Sequence, residues 1–152
     1  MSDTPFTAAQ RAALAGVLDA IVPRSVDGTL PGAGELGLAE AVEEKLGAMR
    51  PLIAGSLDAL DALARERRAA AFAALAAADR QDVLNAHAAD DPGFLPGIVF
   101  HTYSAYYQNP RVVEALGIEA RPPYPLGYPL EQADLGALLG PVRARTKLYR
   151  ET

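Results

Sequence analysis

Two histidines, His87 and His101, are the side chains whose ordinary titration falls near neutral pH, and the chain has no cysteine. Without cysteine there is no disulfide, thiolate zinc site, iron–sulfur cluster, c-type haem attachment or cysteine nucleophile. Two histidines are too few for a histidine-rich metal site, although carboxylates can complete one. A serine nucleophile needs a histidine and a carboxylate converging on it, and no motif around Ser2, Ser25, Ser56 or Ser104 marks such a group. Carboxylates are densest at Asp79, Asp82, Asp90 and Asp91. That stretch lacks the alternating ligands and central glycine of a calcium loop, so helix capping and a solvated turn explain it better. Gly32-Ala33-Gly34-Glu35-Leu36-Gly37 spells G-x-G-x-x-G. Dinucleotide binding needs those glycines directly after a buried strand, so that backbone N–H groups can approach a pyrophosphate. Here Asp27-Gly28-Thr29-Leu30-Pro31 precedes them and no second βαβ unit follows, which describes a loop entering a helix. On these grounds the chain is expected to carry no catalytic residue, no cofactor-binding residue and no metal ligand.

The aromatic residues are distributed unevenly. All six tyrosines lie between residues 103 and 149; Tyr103, Tyr106 and Tyr107 share one segment, and Tyr124 and Tyr128 are interleaved with prolines. Tyrosine covers a large area at low entropy cost and keeps a polar tip, which suits it to protein interfaces. Residues 121–130 hold four prolines and read as an extended, polyproline-like arm, stiff enough to lose little entropy on docking. Such an arm either docks on a partner or packs back on its own domain.

The elements that must position these residues are helical. Thr7 and Gln10 form a capping box, and Leu14, Val17, Leu18 and Ile21 follow as one face of a helix that Pro23 stops. After a glycine- and proline-rich loop at 24–35, a second helix is predicted from near Glu35, with Leu38, Val42 and Leu46 on one side and Gly47 at its end. Pro51 suits the first turn of a third helix with stripe Ile53, Leu57, Leu60 and Leu63, on which Asp61 and Arg65 pair at i, i+4. The alanine-rich stretch 69–78 either continues that helix or breaks it near Ala76. Asp79 is placed to cap a fourth helix carrying Val83, Leu84 and His87, and Asp90-Asp91-Pro92-Gly93 marks a turn. Leu95, Ile98, Val99, Thr102 and Tyr106 then make a fifth stripe. Ile98–Tyr103 has the composition of a strand, but the longer 3.6 period favours helix. Asn109-Pro110 opens a short helix with Val112, Val113 and Leu116, ended by Gly117. Leu135, Leu138 and Leu139 predict one more short helix before a basic tail. The expected fold is all-α: a single domain over 1–152, with a helical body of five to six helices at 6–118 and an extended Pro/Tyr-rich arm and tail at 119–152.

With 152 residues, 14 basic and 19 acidic side chains and a net charge of −5, the chain is the size of one domain and would repel a phosphate backbone, so nucleic acid is not an expected partner. Arg65, Arg67 and Arg68 are flanked by Asp61 and Glu66 and read as a solvated helix face. No run of 18 apolar residues predicts a membrane span.

Several segments, in order and at matching spacing, resemble the gluconate 2-dehydrogenase subunit 3 family. They are Thr7-Ala8-Ala9-Gln10-Arg11, Leu18-Asp19-Ala20-Ile21-Val22-Pro23 and Pro31-Gly32-Ala33 before Gly37. Further on come Tyr106-Tyr107-Gln108-Asn109-Pro110, Ala115-Leu116-Gly117 and Arg121-Pro122-Pro123-Tyr124-Pro125-Leu126-Gly127-Tyr128-Pro129. The resemblance implies a non-catalytic small subunit that stabilises a large flavoprotein of the glucose–methanol–choline type. The FAD sits in that partner, which oxidises a sugar, sugar acid or alcohol, and a cytochrome c subunit takes the electrons. Tyr103, Tyr106, Tyr107, Pro122, Pro123, Tyr124, Gly127 and Tyr128 are then expected at or near the partner surface. Many family members open with a twin-arginine export signal, and Met1-Ser2-Asp3-Thr4-Pro5 does not resemble one. The expectation is a cytoplasmic complex, or a periplasmic one exported on its partner's signal. Two other readings stand beside this one: a free-standing helical module for a small apolar ligand, and a small enzyme using His87 or His101 with the aspartates.

Overall fold

The computed structural model describes residues 4–121, 127 and 133–145. Among these residues there are helices and turns and no strand. The chain divides into two units, Met1–Ala120 and Arg121–Thr152. The first holds α1 (Ala8–Ile21), α2 (Ala39–Lys45), α3 (Arg50–Arg68), α4 (Ala77–Asp90), α5 (Phe94–Tyr106) and α6 (Pro110–Ala115); the second holds α7 (Leu135–Arg143).

Helix α1 begins as its sequence predicts. Thr7 Oγ1 accepts from Gln10 N at 3.2 Å, and Gln10 Oε1 accepts from Thr7 N at 2.9 Å. The Gln10 amide also donates to both Asp58 carboxylate oxygens at 3.0 and 3.1 Å, tying α1 to α3. Leu14, Val17 and Leu18 are fully buried, each worth about 1.5–3 kcal/mol in transfer free energy. They form the hub of the core, because α1 packs against α2, α3, α4 and α5.

The second helix does not start at Glu35. A single 3₁₀ turn, Gly34–Leu36, ends at Gly37 with φ +66°, and α2 begins only at Ala39. Glu43 of α2 faces inward, not to solvent. It is buried, accepts from Phe6 N at 2.6 Å, and pairs with Arg11 Nε at 2.8 Å. Burial opposes its charge, but the Arg11 hydrogen bond, the Phe6 N–H and the positive charges of Arg11 and Arg50 outweigh that and hold the carboxyl below the usual range.

Helix α3 carries Pro51 in its first turn and buries Ile53, Leu57, Leu60 and Ala64. It stops at Ala69, which takes a left-handed conformation at φ 55°. The alanine-rich stretch therefore breaks rather than continues. A 3₁₀ turn over Phe72–Ala74 drives the Phe72 ring into the core, and Asp61 accepts from Phe72 N at 2.8 Å while also pairing with Arg65 at 2.9 Å. The cap of α4 is Ala76 rather than Asp79. Asp79 instead binds Arg68 Nε at 2.8 Å, and Asp82 binds the same guanidinium at 3.4 Å, so Arg68 clamps the end of α3 to the start of α4.

Helix α5 buries Phe94, Ile98, Thr102, Ala105 and Tyr106, one residue out of phase with the predicted Leu95 stripe at its start. Asn109 caps α6 by accepting from Arg111 N at 3.1 Å. Val112 is buried; Leu116, predicted to share its stripe, is exposed. In the second unit, Asp134 caps α7 by accepting from Ala137 N at 3.1 Å. The predicted extended conformation of residues 122–126 and 128–130 lies outside the described residues.

Candidate partner-docking face

Helix α5 contains no Asp, Glu, Lys or Arg along its thirteen residues. One side is the core stripe. The other side carries Phe100, Tyr103 and, one position past the helix, Tyr107, at i, i+3 and i+7, with 70%, 43% and 53% of their surface exposed. The Tyr103 and Tyr107 rings stack, with centroids 6.1 Å apart and planes 14° from parallel. Within the first unit, α5 is covered on its core side, and Phe100, Tyr103 and Tyr107 on the other side are exposed. Leu116 and Ile118, just beyond α6, are exposed as well.

Tyr106 belongs elsewhere. Its neighbours in sequence, Tyr103 and Tyr107, suggest a surface position, but it lies four residues from Thr102 on the core side and is 1% exposed. Its hydroxyl donates to Pro31 O at 2.8 Å across 75 residues of chain, pinning the end of α5 to the loop before α2. Burial, with Tyr107 and Glu35 nearby, raises its pKa above the ordinary phenol value. Tyr106 therefore presents no surface to a partner. It props Tyr107 edge-on, at a centroid distance of 5.2 Å. Of the arm candidates, Gly127 has a positive φ of 65°, while Pro122, Pro123, Tyr124 and Tyr128 lie outside the described residues.

The G-x-G-x-x-G segment is a packing device. A Cβ on Gly32 would stand 2.5 Å from Asp19 Oδ1, and one on Gly34 would stand 2.5 Å from Ala15 O. Its backbone lies against α1, where Asp19 Oδ1 accepts from Gly34 N at 2.8 Å. The Gly34 N–H that would face a phosphate in a nucleotide loop is taken by Asp19, and those of Ala33 and Gly37 by the backbone carbonyls of Val22 and Gly34.

The histidines do not form a triad. His101 stacks edge-on against Phe100 at 5.4 Å. His87, 6% exposed, packs edge-on against Phe94 at 5.1 Å, and its Nε2 has no hydrogen-bond partner. Burial lowers the His87 pKa, against the opposing charges of Asp91 and Asp90. It does share an open cleft of about 650 Å³ between α3 and α4 with Ser56, Glu66, Asp90 and Asp91. There, however, Ser56 Oγ donates directly to Asp91 Oδ2, so the serine has no imidazole to take its proton. Ser56 and Asp91 are 35 residues apart, and no local motif signals their meeting. Among the described residues no three His, Asp or Glu stand together as a metal site. No helix among them is long and apolar enough to cross a membrane.

Among the described α-helices α5 alone has no Asp, Glu, Lys or Arg, and Phe100, Tyr103 and Tyr107 on its outer side are exposed. The family model for gluconate 2-dehydrogenase subunit 3 matches residues 8–118, and the chain belongs to that family. No curated protein and no solved structure matches it.

Proposed function

We propose that this chain is the non-catalytic small subunit of an FAD-dependent dehydrogenase that oxidises a sugar, sugar acid or alcohol, and that it stabilises the large flavoprotein subunit by docking the outer side of α5 against it. The observation that carries this reading is the uncovered Phe100–Tyr103–Tyr107 side of a helix with no charged residue. Aromatic side chains in such a patch are the residues that dominate binding energy at interfaces. Family membership supplies the kind of partner: the family's name is that of a dehydrogenase subunit. In this reading FAD resides in the large subunit, and a cytochrome c subunit accepts its electrons. The arm residues Pro122, Pro123, Tyr124, Gly127 and Tyr128 add a second contact with the flavoprotein.

The test is co-expression with the genomic neighbours, affinity purification through this chain, and an absorption spectrum of the product. A yellow complex with flavin bands and a large second polypeptide supports the reading. A colourless single species, with the flavoprotein purifying apart, refutes it.

A further inference from the structure

Granted the docking reading above, on which this rests, we infer that the face does not end with α5 but takes in Met49, the residue just before α3. Met49 sits at a notch in α5 made by Gly97, and with Phe100 it forms the edge of the face that an apolar segment of the large flavoprotein subunit covers.

Three observations carry this. First, Gly97 leaves a gap in the side of α5 that meets the start of α3. A Cβ there would stand 2.7 Å from Met49 Cε and 3.4 Å from Ile53 Cδ1. The tip of Met49 therefore lies where a side chain of α5 would otherwise be. Second, although its tip is seated, Met49 as a whole is 37% exposed and lies outside the core. Third, Phe100 is three residues on from Gly97 in the same helix, and residues three apart are neighbours on a helix surface. Phe100 is 70% exposed, and α5 places no charged residue between it and the notch. The apolar surface thus continues from α5 onto the residue before α3. Methionine suits such an edge. Its unbranched, polarizable side chain adapts to an irregular partner surface, and it is enriched at interfaces. With its tip already seated, it loses less rotamer freedom on docking than a free side chain would. Leu52 marks where the face stops. It is more exposed than Met49, but it lines the cleft between α3 and α4.

The test uses the full chain labelled with ¹³C at its methionine methyl groups. The chain has two methionines, Met1 and Met49, so a Met49→Leu variant assigns both signals. On titration with the purified large subunit, the Met49 signal should shift or broaden in step with complex formation. Met49→Glu should weaken flavoprotein binding about tenfold or more, and Met49→Leu less than about threefold. Gly97→Ala fills the notch and displaces only the flexible tip of Met49, in a helix that tolerates alanine. It should weaken binding roughly three- to tenfold, because the edge beside Phe100 is reshaped. Leu52→Glu should leave binding unchanged. Thermal unfolding of each isolated variant separates loss of docking from loss of fold; if Met49→Glu does not fold, the Met49 signal and Gly97→Ala decide. A Met49 signal that stays unmoved in the complex, unchanged affinity in Met49→Glu or Gly97→Ala, or an equal loss in Leu52→Glu overturns the proposal and leaves the docking reading standing. A wild-type chain that binds no flavoprotein refutes the docking reading and this proposal together.

Discussion

At the scale of single residues, three buried polar side chains, Tyr106, His87 and Glu43, tie stability to particular bonds and to pH. Tyr106 spans 75 residues to reach Pro31 O, and both residues are buried. Tyr106→Phe keeps the ring but strands the carbonyl, so it should cost about 1–3 kcal/mol in urea unfolding. A cost below about 0.5 kcal/mol would mean that water reaches the carbonyl and that the bond is not a tether. His87 makes stability depend on pH. Its folded pKa lies below 6.5 because burial disfavours the charged ring. Between the folded value and 6.5 the unfolded chain holds more protons, so its contribution is complete above 6.5 and is lost as pH falls through that window. Glu43, held below 4.5, acts with the same sign at lower pH. The two contributions separate in a His87→Phe variant, which should flatten the stability profile just below pH 6.5 and leave the acid limb set by Glu43 unchanged. Equilibrium unfolding across a pH series reads this directly, and an unaltered slope below 6.5 would show that His87 is not the group responsible.

At the scale of elements, the helix ends show what is readable locally and what is not. The start of α1 depends on Thr7 and Gln10 alone, three residues apart, and reads correctly from sequence. The starts of α6 and α7 at Asn109 and Asp134 have the same local cause. Asp79 has the residue type of a cap, but Arg68 from α3 takes its carboxylate, and that competition is tertiary. Glu43 looks like a solvent residue by composition and is instead the buried partner of Arg11, 32 positions away. Tyr106 was legible: its helical phase with Ile98 and Thr102 puts it in the core, whereas its neighbours in sequence suggest a surface cluster. The α3–α4 cleft was not legible, because Ser56 and His87 come from different helices. The end of α3 carries a prediction of its own. Ala69 takes φ 55°, a conformation that costs an L-residue with a Cβ roughly 1–2 kcal/mol, whereas glycine adopts it freely. Ala69→Gly should therefore stabilise the chain by about 0.5–1 kcal/mol, less than the full relief because glycine also loses more entropy on folding. Thermal unfolding checks it, and a destabilised variant would mean that the Ala69 methyl makes packing contacts worth more than the strain.

At the scale of the whole molecule, charge and apolar surface are unevenly distributed. Its net charge is −5, yet α5 bears no charge. Solvent accounts for a scattered exposed leucine, but not for three aromatics aligned along an uncharged helix. If that side of α5 is where a large subunit sits, charge placed there should separate folding from assembly. Phe100→Lys with Tyr103→Glu puts two desolvation costs into the contact at positions that are not part of the buried core. Stability of the isolated chain should change by no more than about 0.5 kcal/mol, as for ordinary surface substitutions. Co-purification of the flavoprotein should fall sharply, because losing even one central aromatic costs about 2–4 kcal/mol at an interface, some thirtyfold or more in affinity. Chain ending at Ala120 provides the complementary test, because it keeps the first unit whole and removes the second. Loss of binding by the α5 variant with retention by the shortened chain places the anchor on α5. The reverse pattern transfers it to the proline- and tyrosine-rich arm, and full binding by both variants removes both surfaces from the interface.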